Sequence, residues 1–313
     1  MKQLESITRL REVIRRQHKS LSTERTYCGW LVRYCRFLQT LPPVKQITAS
    51  SEEKVEAFLS ALARSDSAAS TQNQAFNALV FFYQVALGQP LKNIDALRAT
   101  RPQQIRHALP RADTLRLLNA VPDVGGYPTN LICRLLYGCG LNLRIKDVDL
   151  AGGKLMILAA KGGKDGVVKL PCAVAADLEQ QMAYAKSVFE RDQQVKLPLW
   201  LPHQLAKKYP EYQFAWPWAW LFPQRHPCTD PRNGRIVRYH LHEANVQRAV
   251  KIARRQLGLN ITPHNLRHCY ATHCVERGVN VKALQEAMRH KNAETTMGYV
   301  HAEALSVTSP LDQ

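Results

Sequence analysis

The sequence predicts a mainly α-helical protein with a small β-sheet, an α+β fold, divided into two domains. Apolar residues recur at helical spacing through most of the chain. Residues 154–170, by contrast, read as a pair of short strands around a glycine-rich turn. With 313 residues, the chain is long enough for two domains that each bury a core of their own.

Four amphipathic helices are predicted in the first domain, residues 1–98. Ser50 and Glu53 form a capping-box pattern before the third helix, and the fourth ends near Gly88. The large aromatic residues fall on the helical stripes, so we expect them in the core and not on a surface that stacks with bases. Basic side chains between the stripes are candidates for phosphate contacts. The apolar stripes cover residues 7–14, 27–38, 55–62 and 76–83.

Residues 99–110 are predicted to link this domain to a second one, residues 111–313. The stretch is polar, basic and flanked by proline, which is typical of a linker. A basic tether between two helical domains would let them close around duplex DNA. In the second domain the helical periodicity resumes at Arg111. Strands over residues 154–160 and 166–170 then flank the turn that contains Lys161.

The charge of the chain predicts a polyanionic partner. Lys and Arg number 43 against 25 Asp and Glu, a formal net charge of +18 that is spread through both halves. Nucleic acid fits this excess. A membrane surface is the rival, but the sequence has neither a lysine-rich amphipathic helix nor a lipidation motif. It also lacks a long apolar run or a secretory signal, so we expect no membrane contact and a cytoplasmic location.

Eight cysteines are scattered without C-x-x-C pairs, and several lie on apolar stripes. Reduced, packed thiols are therefore expected. The alternative is a zinc site, because histidine and cysteine are crowded between residues 264 and 274. Against it, the second cysteine pair of a zinc module is absent, so we expect no bound metal. The residues of this alternative would be His264, His268, Cys269, His273 and Cys274.

The stretch 264–299 carries polar residues that apolar packing does not need. His264 and Arg267 are one helical turn apart, so both project from the same helix face. His290 and Tyr299 follow downstream. An arginine fork binds non-bridging phosphate oxygens, and a tyrosine oxygen can attack phosphorus. This set of side chains is therefore suited to a phosphodiester substrate.

The arrangement resembles the active site of tyrosine recombinases, which have an H-x-x-R box, then a His or Trp, and then a nucleophilic Tyr. The resemblance implies that Tyr299 attacks the scissile phosphate, forms a 3′-phosphotyrosyl link and loses its proton to His264. It further implies that Arg267 and His290 stabilise the charge on the phosphate oxygens. Lys161, at the family's hairpin lysine, would protonate the departing 5′ oxygen. The link conserves the phosphodiester energy, so no cofactor, neither ATP nor a metal, is expected.

One departure from this family concerns a catalytic residue. Its members carry a first catalytic arginine after a Y-G-x-G-[LM] turn, whereas residues 137–144 here read YGCGLNLR. A short stretch is missing, and Asn142 stands where the arginine is expected. Arg144 matches a later arginine of the family, so a salt bridge or a DNA contact is expected for it, with rescue of the lost role as the alternative. Loss of one charged donor at such a site costs about 10²-fold or more in rate, which predicts impaired catalysis.

Residues 195–245 form a predicted insertion that is dense in tryptophan, proline and basic residues. This composition suits stacking on exposed bases, with a small hydrophobic cluster as the alternative. Its K-Y-P, W-x-W, F-P and D-P elements resemble the extra segment of integron integrases, which engages extrahelical bases of folded single-stranded cassette sites. The resemblance places Trp218, Pro231, Tyr239 and His240 at these bases, and Arg238 is expected to bind DNA with them.

The resemblance covers nearly the whole chain and implies a site-specific recombinase that integrates and excises gene cassettes at integron sites. The implied partners are a duplex integron site, folded single-stranded cassette sites and three further protomers in a homo-tetramer on DNA. Off DNA, a monomer or dimer is expected. A second hypothesis is a DNA-binding protein that recognises the same sites without cleaving them. A third, a type IB topoisomerase, shares the tyrosine chemistry but would not predict the tryptophan-rich segment.

Overall fold

The computed structural model divides the chain into two compact units, residues 1–105 and 106–313. Both are mainly helical, and small antiparallel sheets lie in the second unit. This confirms the predicted mainly α fold with a small β-component. Within the described part of the chain, no helix is both long and apolar enough to cross a membrane. The structure describes residues 3–65, 67–94, 108–137, 143–157 and 166–280, with Lys282 and Leu284.

The helices of the first unit begin and end where the sequence provides caps. At the start of α4 (Ser51–Arg64), the Ser50 hydroxyl accepts from the Glu53 amide at 3.1 Å. The Glu53 carboxylate accepts from the Ser50 amide at 2.7 Å, which confirms the capping box. Helix α5 continues as one π-helical turn and stops at Gly88, whose φ of 70° favours glycine. The helices are α1 (Gln3–Arg16), α2 (Leu21–Thr40), α3 (Pro43–Thr48), α4 (Ser51–Arg64) and α5 (Ala69–Phe81).

The apolar stripes of this unit meet in one core, as predicted. Tyr34 is 2% exposed, packs edge-on against Phe58 and shares a hydrogen bond of 3.0 Å with the Tyr83 hydroxyl. Helix α3 was not predicted. Its Val44 and Ile47 are 69% and 84% exposed. The helix therefore lacks the buried apolar stripe from which helices are predicted in a sequence.

The second unit contains a three-stranded sheet of order β1-β2-β3, whose strands are Val148–Asp149, Lys154–Ile157 and Gly166–Lys169. Strands β2 and β3 pair antiparallel with Met156 opposite Val167, which confirms strands on both sides of the predicted hairpin turn. A second, two-stranded sheet pairs β4 with β5. The elements are α6 (Arg111–Ala120), α7 (Thr129–Leu136), β1 (Val148–Asp149), β2 (Lys154–Ile157), β3 (Gly166–Lys169), α8 (Ala175–Gln194), α9 (His203–Lys208), β4 (Cys228–Thr229), β5 (Ile236–Val237), α10 (Glu243–Gln256) and α11 (Pro263–Glu276).

The core of this unit joins the tryptophan-rich segment to the surrounding helices. Leu221 of that segment is fully buried in the same cluster as Leu178 of α8 and Leu266 of α11. The end of the predicted linker also belongs here, since Leu109 packs against this cluster. The rest of the predicted linker, residues 99–107, lies outside the described residues. The tryptophan-rich segment is thus folded into the core of the second unit. This packing holds its side chains in defined positions.

Candidate functional site

A cavity of about 520 Å³ opens at the first turns of α11. His264 and Arg267 both line it, as their helical spacing predicts. Lys251 and Arg254 of α10 add two cationic side chains to the same wall and Glu243 adds one carboxylate, so cationic side chains are in excess. A helix N-terminus beside several cations attracts a phosphate group, because backbone N–H dipoles and side-chain charges act in the same direction. The cavity is therefore suited to a phosphate group of a polyanion.

The position of His264 and Arg267 follows from how α11 starts. Pro263 occupies its first turn, and the Thr262 amide donates to the Asn265 side chain at 3.1 Å. Leu266 is fully buried and faces the core, whereas His264 and Arg267 lie on another face of the helix, which lines the cavity. His264 is exposed and Arg267 half-buried, which keeps both side chains near solvent and accessible to a ligand.

A buried histidine fastens α11 to its neighbours. His273 is 4% exposed. Its Nδ1 lies 2.5 Å from the Tyr137 hydroxyl, at the end of α7, and its Nε2 lies 2.9 Å from the Leu109 carbonyl. A neutral ring with its proton on Nε2 satisfies both bonds, since the carbonyl can only accept. Burial raises the pKa of Tyr137 to about 12, so its hydroxyl keeps the proton that it donates.

The zinc alternative finds no support among the described residues. Cys269 accepts from the Leu109 amide at 3.4 Å, and both ring nitrogens of His273 are engaged. No three His, Cys, Asp or Glu side chains converge as a metal site in the part of the chain that the structure describes. Of the residues of this alternative, Cys269 and His273 are buried in α11, and His264 lines the cavity.

Four residues of the predicted site lie outside the described residues. They are Lys161, His290 and Tyr299, together with Asn142 at the position expected for the first arginine. Their convergence on His264 and Arg267 therefore stays a prediction.

Arg144 lies between the core and the tryptophan-rich segment. It is 7% exposed, and its guanidinium carbon is 3.7 Å from the centre of the Trp220 ring. It donates to the Trp200 carbonyl at 3.0 Å and to the Trp218 carbonyl. Burial lowers the pKa of Arg144 to about 10, which still leaves it charged at neutral pH. Among the described residues, the partners of the Arg144 guanidinium are thus two carbonyls and an aromatic ring.

Trp220 is the centre of an aromatic cluster and not a free stacking surface. It is 5% exposed. The Trp200 ring is nearly parallel to it at 6.5 Å, and Tyr239 and His240 meet it at steep angles. Tyr239 and His240 are themselves half-buried, with ring centres 4.1 Å apart. Tyr239 and His240, which are predicted to contact bases, are therefore partly exposed and are packed against the buried Trp220 ring.

Trp218 ends a column of parallel rings that the sequence reasoning missed. Its ring stacks on Tyr212 at 4.8 Å, and Tyr212 stacks on Tyr209 at 4.9 Å. The Lys146 ammonium lies 4.8 Å from the centre of the Trp218 ring. Tyr212 lies in a 3₁₀ turn (Pro210–Phe214) and Tyr209 is the residue just before it. Side chains three residues apart eclipse in such a turn. That spacing was the available signal for the column.

Pro231 is exposed at the turn between β4 and β5. Its neighbours Asp230 and Arg232 line a second cavity, of about 270 Å³, together with Trp200 and Lys207. Pro231 itself does not line it. The turn is held because the Asp230 carboxylate, which is buried, accepts from the Arg232 amide at 2.9 Å. The structure therefore places Pro231 at the rim of a basic cavity with one aromatic wall.

Arg238 occupies a different environment from the one expected of a DNA contact. It is 6% exposed and forms a bidentate ion pair with Asp192 of α8. Nε donates to Oδ2 at 2.6 Å and Nη2 donates to Oδ1 at 2.5 Å. Its remaining Nη1 donates to the carbonyls of Gln224 and Arg225. A phosphate would have to displace these partners from a buried site. In this structure Arg238 fastens the tryptophan-rich segment to α8, and its geometry offers no support for a direct DNA contact.

Comparison with known proteins agrees with this architecture. The model of the phage integrase family matches residues 107–305, and the model of the phage integrase N-terminal SAM-like domain matches residues 7–93. Two curated relatives, each described as an integrase/recombinase, come from Escherichia coli and Pseudomonas aeruginosa. Each is 35% identical over 326 residues, covering 100% of this chain and 94% of the relative.

More distant relatives share the fold. The tyrosine recombinase XerA of Thermococcus kodakarensis is 31% identical over 208 residues, 63% of this chain and 59% of the relative. The XerH recombinase in a post-cleavage complex with its difH substrate superposes with a TM-score of 0.60, at 18% identity over 93% of this chain and 79% of that one. A lambda integrase dimer bound to a core site gives 0.58 at 16% identity, covering 97% of both chains. The family models and the full-length relatives together establish that the chain belongs to the phage integrase family of tyrosine recombinases.

Proposed function

We propose that the protein is a site-specific DNA recombinase of the integron integrase kind, acting in the cytoplasm on gene cassettes. The observation that carries the proposal is the cavity shared by His264 and Arg267, with Lys251 and Arg254 beside it. Its charge and its helix N-terminus suit the scissile phosphate of DNA. That both XerH and lambda integrase were solved on DNA adds support for the same partner here.

In the proposed reaction the phenolic oxygen of Tyr299 attacks phosphorus and the bond from phosphorus to the 5′ oxygen breaks. His264 accepts the phenolic proton, because a tyrosine pKa of about 10 leaves the phenol protonated at neutral pH. Lys161 gives a proton to the departing 5′ oxygen, while Arg267 and His290 bind the non-bridging oxygens. The product is a 3′-phosphotyrosyl link, which the 5′-hydroxyl of a second strand attacks to restore Tyr299.

We further propose that this reaction is impaired by the missing first arginine. Asn142 at that position carries no charge to stabilise the phosphorane-like transition state. The placement of Arg144 supports the proposal, because its guanidinium is buried and bonded to two carbonyls of the tryptophan-rich segment. It would have to leave these partners to reach a phosphate.

The aromatic segment is proposed to recognise unpaired bases of folded single-stranded cassette sites. Trp218, Tyr239 and His240 are half-buried on a rigid support, and Pro231 lies at the rim of the basic cavity. Aromatic side chains held in this way stack on bases of any sequence. A duplex integron site, a homo-tetramer on DNA and a monomer or dimer off DNA complete the proposal.

The second candidate is a protein that binds the same sites without cutting, and the uncharged Asn142 favours it. A suicide substrate separates the two, because its nicked strand diffuses away after attack and traps the covalent complex. We expect a weak protein–DNA adduct that resists denaturation on a gel, disappears in Tyr299→Phe and strengthens by about 10²-fold when the arginine and its helix turn are restored after Leu141. DNA binding without any adduct, even after that restoration, would favour the second candidate.

A further inference from the structure

Arg144 and its neighbours join the aromatic segment to the core of the second unit. Their backbone pairs with the segment: the Ile145 amide donates to the Ala219 carbonyl and the Leu221 amide to the Leu143 carbonyl, both at 3.0 Å. Arg144 and Trp220 are the two residues paired in this antiparallel β-bridge. These backbone hydrogen bonds thus hold the segment in place at Trp220. The neighbouring rings of Trp200 and Trp218 are positioned by side-chain contacts.

The Arg144 side chain performs that positioning. Its two terminal nitrogens donate to the carbonyls of Trp218 and Trp200, which lie in separate stretches of the segment. Its plane also covers the Trp220 ring, with 3.7 Å from the guanidinium carbon to the ring centre. One side chain therefore contacts three tryptophan residues of the segment. The column of Tyr209, Tyr212 and Trp218 begins at one of them, so its position depends on the same guanidinium.

The geometry requires an arginine. A guanidinium is a rigid planar fork that donates in two directions and stacks on a ring at the same time. A lysine ammonium is a single point charge, which can satisfy one carbonyl but cannot hold both and cover the ring. One of the two backbone carbonyls would then lose its arginine donor, and the tryptophan residue to which it belongs would be held less firmly.

We propose that Arg144 is a positioning residue for the recognition of unpaired bases: it orients Trp218 and its tyrosine column so that they stack on nucleotides displaced from a DNA stem. The inference rests on the proposed function of the segment and extends it to a residue that touches no base. The loss of Arg144 is therefore expected to weaken binding to DNA with displaced bases while leaving binding to paired DNA unchanged.

The test compares two synthetic DNA hairpins of equal length, one fully paired and one with two bulged purines, one of them 2-aminopurine. The variants are Arg144→Gln, Arg144→Lys, Trp218→Ala and the Arg144→Gln/Trp218→Ala double variant of the full chain. The measured quantity is the ratio of the two dissociation constants. Arg225→Gln is the matched control. Arg225 also donates to a carbonyl, that of Gly126, and lies over a ring, that of Tyr127, but both of these partners lie outside the tryptophan-rich segment.

We expect Arg144→Gln to lower the preference for the bulged hairpin by about tenfold, the effect of one lost base-stacking contact. Arg144→Lys should lower this preference as well, and Arg225→Gln should leave the ratio of the two dissociation constants unchanged. The double variant should lose no more than Trp218→Ala alone, because the arginine acts through that ring. Quenching of 2-aminopurine on binding should decrease in parallel. A purely structural role would not give this non-additivity.

The outcomes separate the two levels of the proposal. If Trp218→Ala loses the preference but both Arg144 variants keep it, the positioning role is wrong and the function of the segment stands. If the wild-type protein shows no preference for bulged DNA, the proposed function of the segment is wrong, and the positioning role that rests on it is wrong as well. Equal loss of binding to both hairpins, with a lower melting temperature, would make Arg144 structural only. Should Arg144→Gln not fold, Arg144→Lys carries the same test.

Discussion

Arg144 and Arg238 are two of the 43 basic residues of the chain, yet they are 7% and 6% exposed. Arg238 meets the Asp192 carboxylate, whereas Arg144 meets carbonyls and a tryptophan ring. A residue type that binds DNA from a surface is here committed to holding the segment that is proposed to bind it. Burial thus distinguishes these two arginines from the exposed basic residues of the chain.

At the same scale, His240 makes the stability of the segment depend on pH. Burial lowers the pKa of His240 below its ordinary 6.5, and Nδ1 lies 2.7 Å from the Leu241 carbonyl. The unfolded chain therefore binds a proton at a higher pH than the folded one does. It follows that stability is full above about pH 6.5 and decreases as the pH falls from there toward the lower folded pKa.

This dependence is measured by urea unfolding between pH 7 and pH 5. We expect the free energy of unfolding to decrease over this range, and less steeply in His240→Gln, which cannot take up the proton. His226→Gln, at an exposed histidine, should keep the wild-type slope. Identical slopes for wild type and His240→Gln would show that His240 is not the titrating group.

At the scale of elements, the segment is fastened to the second unit at two places. Arg238, beside β5, pairs with Asp192 near the end of α8, and the backbone around Arg144 pairs with residues beside Trp220. Leu221 adds a fully buried side chain between them. Since fixed aromatic rings lose little freedom when a base stacks on them, such fastening favours recognition.

We predict that Arg238→Ala destabilises the second unit by about 3–5 kcal/mol, because it leaves the Asp192 carboxylate buried without its partner. The Arg238→Met/Asp192→Leu double variant removes both charges and should recover most of this loss. Thermal unfolding followed by circular dichroism measures the effect. Arg235→Ala, at an exposed arginine just before β5, is the control. A double variant as unstable as Arg238→Ala would argue against the unpaired charge as the cause.

At the scale of the whole molecule, each unit has its own buried core. The first is built around residues such as Leu10, Tyr34 and Leu79, and the second around residues such as Leu178 and Leu266. The two clusters share no buried residue among those described. A unit with a closed core of its own can fold alone.

The corresponding prediction concerns the fragment 1–105, which we expect to unfold cooperatively on heating with the helical spectrum of a folded domain. The shorter fragment 1–65 should not, because it lacks α5 and with it the fully buried Leu79. Circular dichroism melting curves of the two fragments provide the measurement. A gradual, non-cooperative transition in the longer fragment would mean that the first unit depends on the rest of the chain.

The sequence by itself determined what depends on near neighbours. The stripes of α2 and α4, the capping box at Ser50 and the strands around residues 154–170 follow from spacings of two to four residues. The same holds for His264 and Arg267, whose common face is set by one turn of helix. The uncharged Asn142 is likewise a property of the sequence alone, and it carries the expectation of impaired catalysis.

The tertiary structure decided which of these side chains reach solvent and which are used inside. Arg238 pairs with a carboxylate 46 residues away, and His273 with a tyrosine 136 residues away, so no local pattern reveals either bond. The tyrosine column and the site of Arg144 likewise depend on how the segment folds back on the core. Periodicity reports which face of an element is buried, but partners distant in the chain are brought together only by the packing of whole elements.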